Sequence, residues 1–144
     1  MNLNAEYDKL IPHFDNKEQS AFKKYLPISS IDRSWGLNIN DIGHTVIPEN
    51  SGYPSKGHPG THMFAWETGR ILNEFHFVVI SAGKGEFESK SAVKTSINKG
   101  DGFILFPGEW HRYRPLKETG WTESWVGFSG QIADIIMISA LILL

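Results

Sequence analysis

The chain contains no cysteine, which removes disulfides, thiolate catalysis, CxxC zinc sites and iron–sulfur clusters. That fits a reducing compartment, and a cytoplasmic protein is expected. Basic excess is lacking too: 14 Lys and Arg against 16 Asp and Glu leave a net charge of −2. Sequence-independent binding of nucleic-acid phosphates is therefore not a property of this segment. The charged start MNLNAEYDKL offers no apolar core for a signal peptide, and no A-x-A cleavage pattern follows it. The longest apolar run, residues 135–144, is about half the roughly 20 residues needed to cross a bilayer, so no membrane partner is expected. No G-x-S-x-G elbow is present, which leaves no signal for a Ser/His/Asp hydrolase.

What remains is a folded chain of one domain. Its 144 residues can bury about two thirds of the unfolded surface, and 40% hydrophobic with 21% charged residues is ordinary globular usage. Aromatic residues reach 12% and glycines number 14, which favours a β-rich domain with many tight turns. Short β-type runs are read at 35–39, 42–47, 61–66, 70–80, 85–89, 92–97, 102–107, 110–114 and 121–128, alternating with turn residues. Eight or nine strands at this spacing form a small antiparallel barrel or jelly roll. Ahead of them, residues 15–26 are expected to be a helix, opened by Asp15 with Glu18 at the capping-box spacing and closed by Pro27. Residues 131–144 are expected to be a second helix, apolar on opposite faces, which needs cover from the barrel and from a partner chain. The absence of a helix stop signal there leads us to expect the front part of a longer protein, with 1–130 as the ligand-binding domain and 131–144 as the start of a linker or dimerisation helix.

Gly83-Lys84-Gly85-Glu86-Phe87-Glu88 lacks the third glycine of a phosphate loop and reads as a hairpin turn. Gly100-Asp101-Gly102-Phe103-Ile104-Leu105-Phe106-Pro107-Gly108-Glu109-Trp110-His111 is more specific, being very similar to the second motif of the cupin superfamily. In cupin enzymes that His binds a metal with two His and a Glu from a first motif. Here the Glu position carries His76, and Arg70-Ile71-Leu72 stands about where the His pair belongs. Two ligands fall short of the three or more that a catalytic metal needs. His58 and His62 are separated by Pro59-Gly60, which prevents a helix from presenting both on one face. No metal, cofactor or catalytic residue is expected; His76 and His111 are either barrel hydrogen-bonding groups or ligand contacts.

Four segments recur in a familiar order: Trp66-x-x-Gly69-Arg70-x-Leu72, the 83–89 stretch, Leu105-Phe106-Pro107-Gly108-Glu109-Trp110-His111-Arg112-Tyr113, and Gly120-Trp121-x-Glu123-x-Trp125-Val126-Gly127-Phe128. Over about residues 60–130 the chain resembles the N-terminal effector-binding domain of AraC-type transcriptional regulators. The resemblance implies a mainly β, cupin-like double-stranded β-helix or jelly-roll barrel. It implies a small-molecule effector, expected to be a sugar, a homodimer formed through the following helix, and DNA binding only through a C-terminal helix-turn-helix domain not among these residues. In the family's arabinose-sensing member, the positions matching Tyr113 and Trp125 hold the sugar; Glu123 replaces a His there, and Arg70 is the nearest match to an Arg. The expected ligand residues are therefore Arg70, His76, His111, Tyr113, Glu123 and Trp125.

The residues themselves agree with this reading. Period two places Trp121, Glu123 and Trp125 on one face of a strand, combining stacking rings with a hydrogen-bonding carboxylate. Trp121 and Trp125 are also natural core fillers, and that alternative stays open. Trp66 and Trp110 are expected to pack, and Arg112 and Arg114 to be solvated. The competing function is a metal-dependent cupin enzyme acting on a small polar or sugar substrate.

Overall fold

A computed structural model of the chain describes residues 21–54 and 65–142. In chain order they form β1 (Ala21–Tyr25), α1 (Ser30–Ser34), β2 (Asn38–Ile47), β3 (Arg70–Ile71), β4 (Phe75–Ser89), β5 (Thr95–Asn98), β6 (Gly102–Leu105), β7 (Trp110–Pro115), β8 (Trp121–Ser129) and α2 (Gln131–Ile142). All strand pairs are antiparallel, in the order β1-β2-β8-β4-β7-β3, with β5 and β6 both pairing β4.

β4 makes the fold curl. Its first half pairs β6 and β8, its second half pairs β5 and β7, and the register slips between Ile80 and Ala82. Gly83 follows with φ of +79°, a conformation cheap only for glycine. A Cβ there would collide with the backbone of Gly120 and Trp121. The hairpin turn expected at the Gly83-Lys84-Gly85 stretch is thus a bend within one continuous strand that belongs to both halves of the sheet.

Directly opposed residues of an antiparallel pair share a face, so the register assigns the barrel interior row by row. One row runs Tyr25, Asp41, Gly127, His76, Leu105; the next Lys23, Gly43, Trp125, Val78, Phe103; the third Ala21, Thr45, Glu123, Ile80. Apolar inward residues, including Ile47, Leu72, Val78, Ile80, Phe87, Phe103 and Leu105, form the main core. Phe75 and Phe128 stack at 5.4 Å on the outer face, where Ala133 and Met137 of α2 cover them.

The N-terminal half needs correction. Residues 21–25, expected to end a helix over 15–26, are strand β1, because β2 offers an unpaired edge and its pairing places Lys23 and Tyr25 on the barrel's inner side. Asp15 and Glu18, the expected capping pair, lie outside the described residues. The capping box is instead Ser29 with Asp32, where Asp32 N donates to Ser29 Oγ at 3.2 Å and Ser29 N to Asp32 Oδ2 at 2.8 Å. Expected strands 35–39 and 42–47 merge into the single bulged strand β2 at Asn38–Ile47, while Trp35 caps α1 and residues 35–37 are not strand. Residues 61–64 lie outside the described residues, and 66–68 form a turn. α2 starts where expected, but its buried stripe is Ala133 and Met137 while Ile132, Ile135 and Ile136 are exposed. No helix among the described residues is long and apolar enough to cross a membrane.

Candidate functional site

Arg70 on β3 stands directly opposite His111 on β7, and Tyr113 follows two residues on, on the same face. Arg70 Nε donates to His111 Nε2 at 3.2 Å, and Arg70 Nη2 donates to the Tyr113 hydroxyl at 2.6 Å. The guanidinium carbon also lies 5.4 Å from the Tyr113 ring centroid, within cation–π range. His111 Nδ1 donates to the Glu109 carbonyl at 3.1 Å, which fixes the neutral tautomer with its lone pair on Nε2 toward Arg70. Burial, reinforced by Arg70, lowers the His111 pKa to about 4.

Glu123 faces the same interior from β8 and is 4% exposed. The Tyr53 hydroxyl, from the segment after β2, donates to Glu123 Oε2 at 3.2 Å. Burial raises the Glu123 pKa to about 7; the Tyr53 bond and the charges of Arg70 and Lys23 act in the opposite direction. Burial also holds the Tyr53 and Tyr113 phenols above their usual range, so both serve as neutral hydrogen-bonding groups. Tyr53 meets Trp121 edge-on at 5.8 Å and Tyr113 at 6.1 Å. A cleft of about 680 Å³ opens onto Tyr53 and Tyr113, bordered by Trp66, Glu86, Arg114 and Lys117. A half-buried cation, a buried carboxyl, two phenols and a neutral imidazole thus converge inside the barrel beneath its mouth.

His76 and Trp125 lie elsewhere in the interior, gathered on Asp41 rather than on Arg70. His76 Nε2 is 3.1 Å from Asp41 Oδ2, and Trp125 Nε1 donates to Asp41 Oδ1 at 2.7 Å. Gly127 makes room for this pair, since a Cβ there would overlap the Asp41 carboxylate and the His76 ring. The Trp125 ring lies across Gly43. Sequence reasoning missed Asp41 because Asn40-Asp41 reads as a break between two strands, and missed Tyr53 because it lies in a loop. The one available signal was an acidic residue in phase with the inward alternation of β2.

Outside the barrel, Arg112 and Arg114 are not simply solvated. Their guanidinium carbons lie 4.4 and 3.8 Å from the Trp66 ring centroid, and their Nε atoms donate to Glu88 at 2.8 Å and Glu86 at 2.7 Å. Trp110 Nε1 donates to the Thr68 carbonyl at 2.7 Å. These contacts fix the turn that delivers Arg70.

The metal set of cupin enzymes does not fit these residues. Arg70 occupies the His111 lone pair that a metal would use, Leu72 has no donor, and His76 turns to Asp41. A different trio, Asp41, Glu74 and His76, places one donor atom each within 4.8 Å of the others.

A family model described as the AraC-like ligand binding domain matches residues 51–144. Among curated protein sequences none matches the chain. In structure the chain is similar to YhaK from Escherichia coli, with a TM-score of 0.53 at 12% identity, covering 78% of this chain and 45% of that one. It is also similar to a cupin protein from Bacteroides fragilis, with a TM-score of 0.46 at 13% identity over 65% of this chain and 66% of that one. An RmlC-like cupin with a double-stranded β-helix fold from Methanocaldococcus jannaschii gives 0.49 at 11% identity, over 85% and 91%. The chain spans less than two thirds of the first two.

Proposed function

The chain belongs to the AraC-like ligand-binding domain family, and from that premise we propose that it senses a small-molecule effector held inside its barrel. The observation that carries this reading is the inward convergence of Arg70, His111, Tyr113, Tyr53 and Glu123 beneath an open cleft. Pockets of this kind orient a ligand with a few placed polar groups and supply area with rings. Fork-shaped donors on Arg70 and a carboxyl on Glu123 suit a polyhydroxylated ligand, and the effector we propose is a sugar. No nucleophile is paired with a base in this group, so its chemistry is binding rather than turnover.

In this reading the bound state is passed to a helix-turn-helix domain outside these residues, which carries DNA binding in the cytoplasm. α2 supplies the contact between two copies. The test is a melting screen of the purified domain against neutral, acidic and basic metabolites. At least one compound raises the melting temperature of the wild-type chain and does so much less for Arg70→Gln; a screen without any stabilising compound would remove the proposal.

The trio Asp41, Glu74 and His76 favours a second reading, a metal-dependent cupin enzyme. Stoichiometric manganese, iron, zinc or nickel in the purified chain, lost in Asp41→Asn, would support it.

A further inference from the structure

β3 is two residues long and lies at the edge of its sheet, with β7 as its neighbour there. So short an edge pairing holds a backbone weakly, yet it is the strand that carries Arg70. The fastening comes from the other face of β7. Trp110 and His111 are consecutive on that strand and point to opposite faces. Inside, His111 Nε2 accepts from Arg70 Nε at 3.2 Å; outside, the Trp110 indole reaches back over Gly69 and donates Nε1–H to the Thr68 carbonyl at 2.7 Å. Gly69 has a φ of +62°, which favours glycine, and a Cβ there would collide with the Trp110 ring and the His111 carbonyl. Gly69 N closes the turn by donating to the Ala65 carbonyl at 2.9 Å, and Arg112 Nη1 donates to the Trp66 carbonyl at 3.2 Å. The backbone just ahead of Arg70 is thus gripped from outside while its guanidinium is gripped from inside.

We infer, resting on the ligand-sensor reading above, that Trp110 and Gly69 are positioning residues for Arg70. They set the point from which its guanidinium reaches His111 and Tyr113 and meets an effector, and they touch no effector themselves. A planar fork of donors discriminates between ligands only when its supporting shell holds it in place. Arg70 needs that hold because Nε and Nη2 serve two different acceptors, 3.2 and 2.6 Å away, and a shift of the backbone would break one bond or the other. Phenylalanine at position 110 would fill much of the same space without the indole donor, so it separates positioning from packing. His111 supplies a reporter that needs no ligand. After burial, the Arg70 charge is the largest influence that lowers its pKa; the Glu109 carbonyl, His76 and the Glu109 carboxylate act on it less.

The test titrates the six histidines of the isotope-labelled chain by NMR without ligand, with His111 assigned through the backbone. Binding of D-xylose, D-galactose and succinate is then measured by calorimetry. Wild type is compared with Arg70→Gln, Trp110→Phe, Trp110→Ala and Phe106→Leu, the last of which loosens the packing on Phe75 beneath α2, away from Arg70. Wild-type His111 should stay neutral down to about pH 5. In Arg70→Gln it should protonate about half a pH unit higher or more; Trp110→Phe should reproduce part of that rise and Trp110→Ala more of it. Phe106→Leu should lower the melting temperature and leave the His111 titration unmoved. A probe that binds wild type should bind Trp110→Phe about threefold more weakly or worse and Phe106→Leu equally well. A rise in Arg70→Gln with no rise in either Trp110 variant overturns the positioning role, whatever the probes do. So does a rise that Phe106→Leu shares equally, because general loosening then accounts for it. If the titration moves as expected but a bound probe is held equally by every variant, the inference falls together with the place of Arg70 in the sensor reading. If the titration moves and no probe binds wild type, Arg70 is positioned as inferred and the sensor reading falls alone.

Discussion

The Arg70 guanidinium donates through Nε to His111 Nε2 at 3.2 Å, so a protein cation sits on the lone pair with which a cupin imidazole would ligate a metal. The consequence is a barrel interior whose fixed positive centre is a side chain. It can present several N–H groups in one plane to a ligand, while a neutral His111 and the Tyr113 hydroxyl hold it in place.

Stability should carry the signature of two opposed titrations. Glu123, raised from 4.5 to about 7, binds its proton more tightly when folded; its contribution is present at low pH and lost as pH rises through 7. His111, lowered from 6.5 to about 4, contributes stability present above 6.5 that is lost as pH falls through 4. Between pH 4.5 and 6.5 the slopes oppose, each limited to about 1.4 kcal/mol per pH unit. Glu123→Gln removes one of them. Relative to wild type, that variant should gain stability as pH is raised from 4.5 toward 7, then level off. Urea denaturation at half-unit pH intervals measures this, and a flat difference would show that the carboxyl is not shifted.

Gly127→Ala tests the packing of the Asp41 cluster. The added methyl overlaps the Asp41 carboxylate and the His76 ring, and both belong to a buried pair that cannot shift into solvent. A loss of about 1–3 kcal/mol is expected from overpacking, read as a lower denaturation midpoint at unchanged m-value. An unaltered midpoint would mean that the pair is loosely held.

Much of this arrangement was legible in the sequence, for identifiable reasons. From Gly100 to Phe128, turn residues separate short alternating runs, and β6, β7 and β8 fall within a residue or two of expectation; so does the start of α2. Arg70, His111 and Tyr113 were named from their motifs, and the register brings them together. Residues 21–25 misled because Phe22, Tyr25 and Leu26 fit a helical stripe, and only the edge of β2, distant in sequence, makes them a strand. Residues 82–85 misled because Gly-x-Gly signals a turn locally, while the bend it makes here stays inside a strand held on both sides. Asp41 and Tyr53 carry no motif; their importance comes from long-range pairing with His76, Trp125 and Glu123.

The Trp66 clamp makes a third prediction. Trp66→Ala removes the ring beneath Arg112 and Arg114 and should cost about 1–2 kcal/mol. Lys99→Ala, on a distant turn, should cost nothing measurable. Thermal melts compare the two, and equal midpoints would show that the stack contributes no stability.

The exposed face of α2 makes a fourth. Ile135 and Ile138 are 64% and 60% exposed, and Trp35 near the docked start of the helix is 73% exposed. Apolar patches larger than a few hundred Å² are uncommon on monomers. Light scattering should give a dimer for the chain at tens of micromolar and a monomer for Ile135→Lys with Ile138→Lys; a monodisperse wild-type monomer would refute the contact.

The central claim is that Arg70 and its neighbours bind the effector, and titration calorimetry tests it most directly. With any compound that stabilises the wild-type chain, Arg70→Gln should bind at least tenfold more weakly, equivalent to about 1.4 kcal/mol, while Lys99→Gln on the distant turn binds as wild type does. Equal affinity for wild type, Arg70→Gln and Lys99→Gln, with all three folded, would contradict the account.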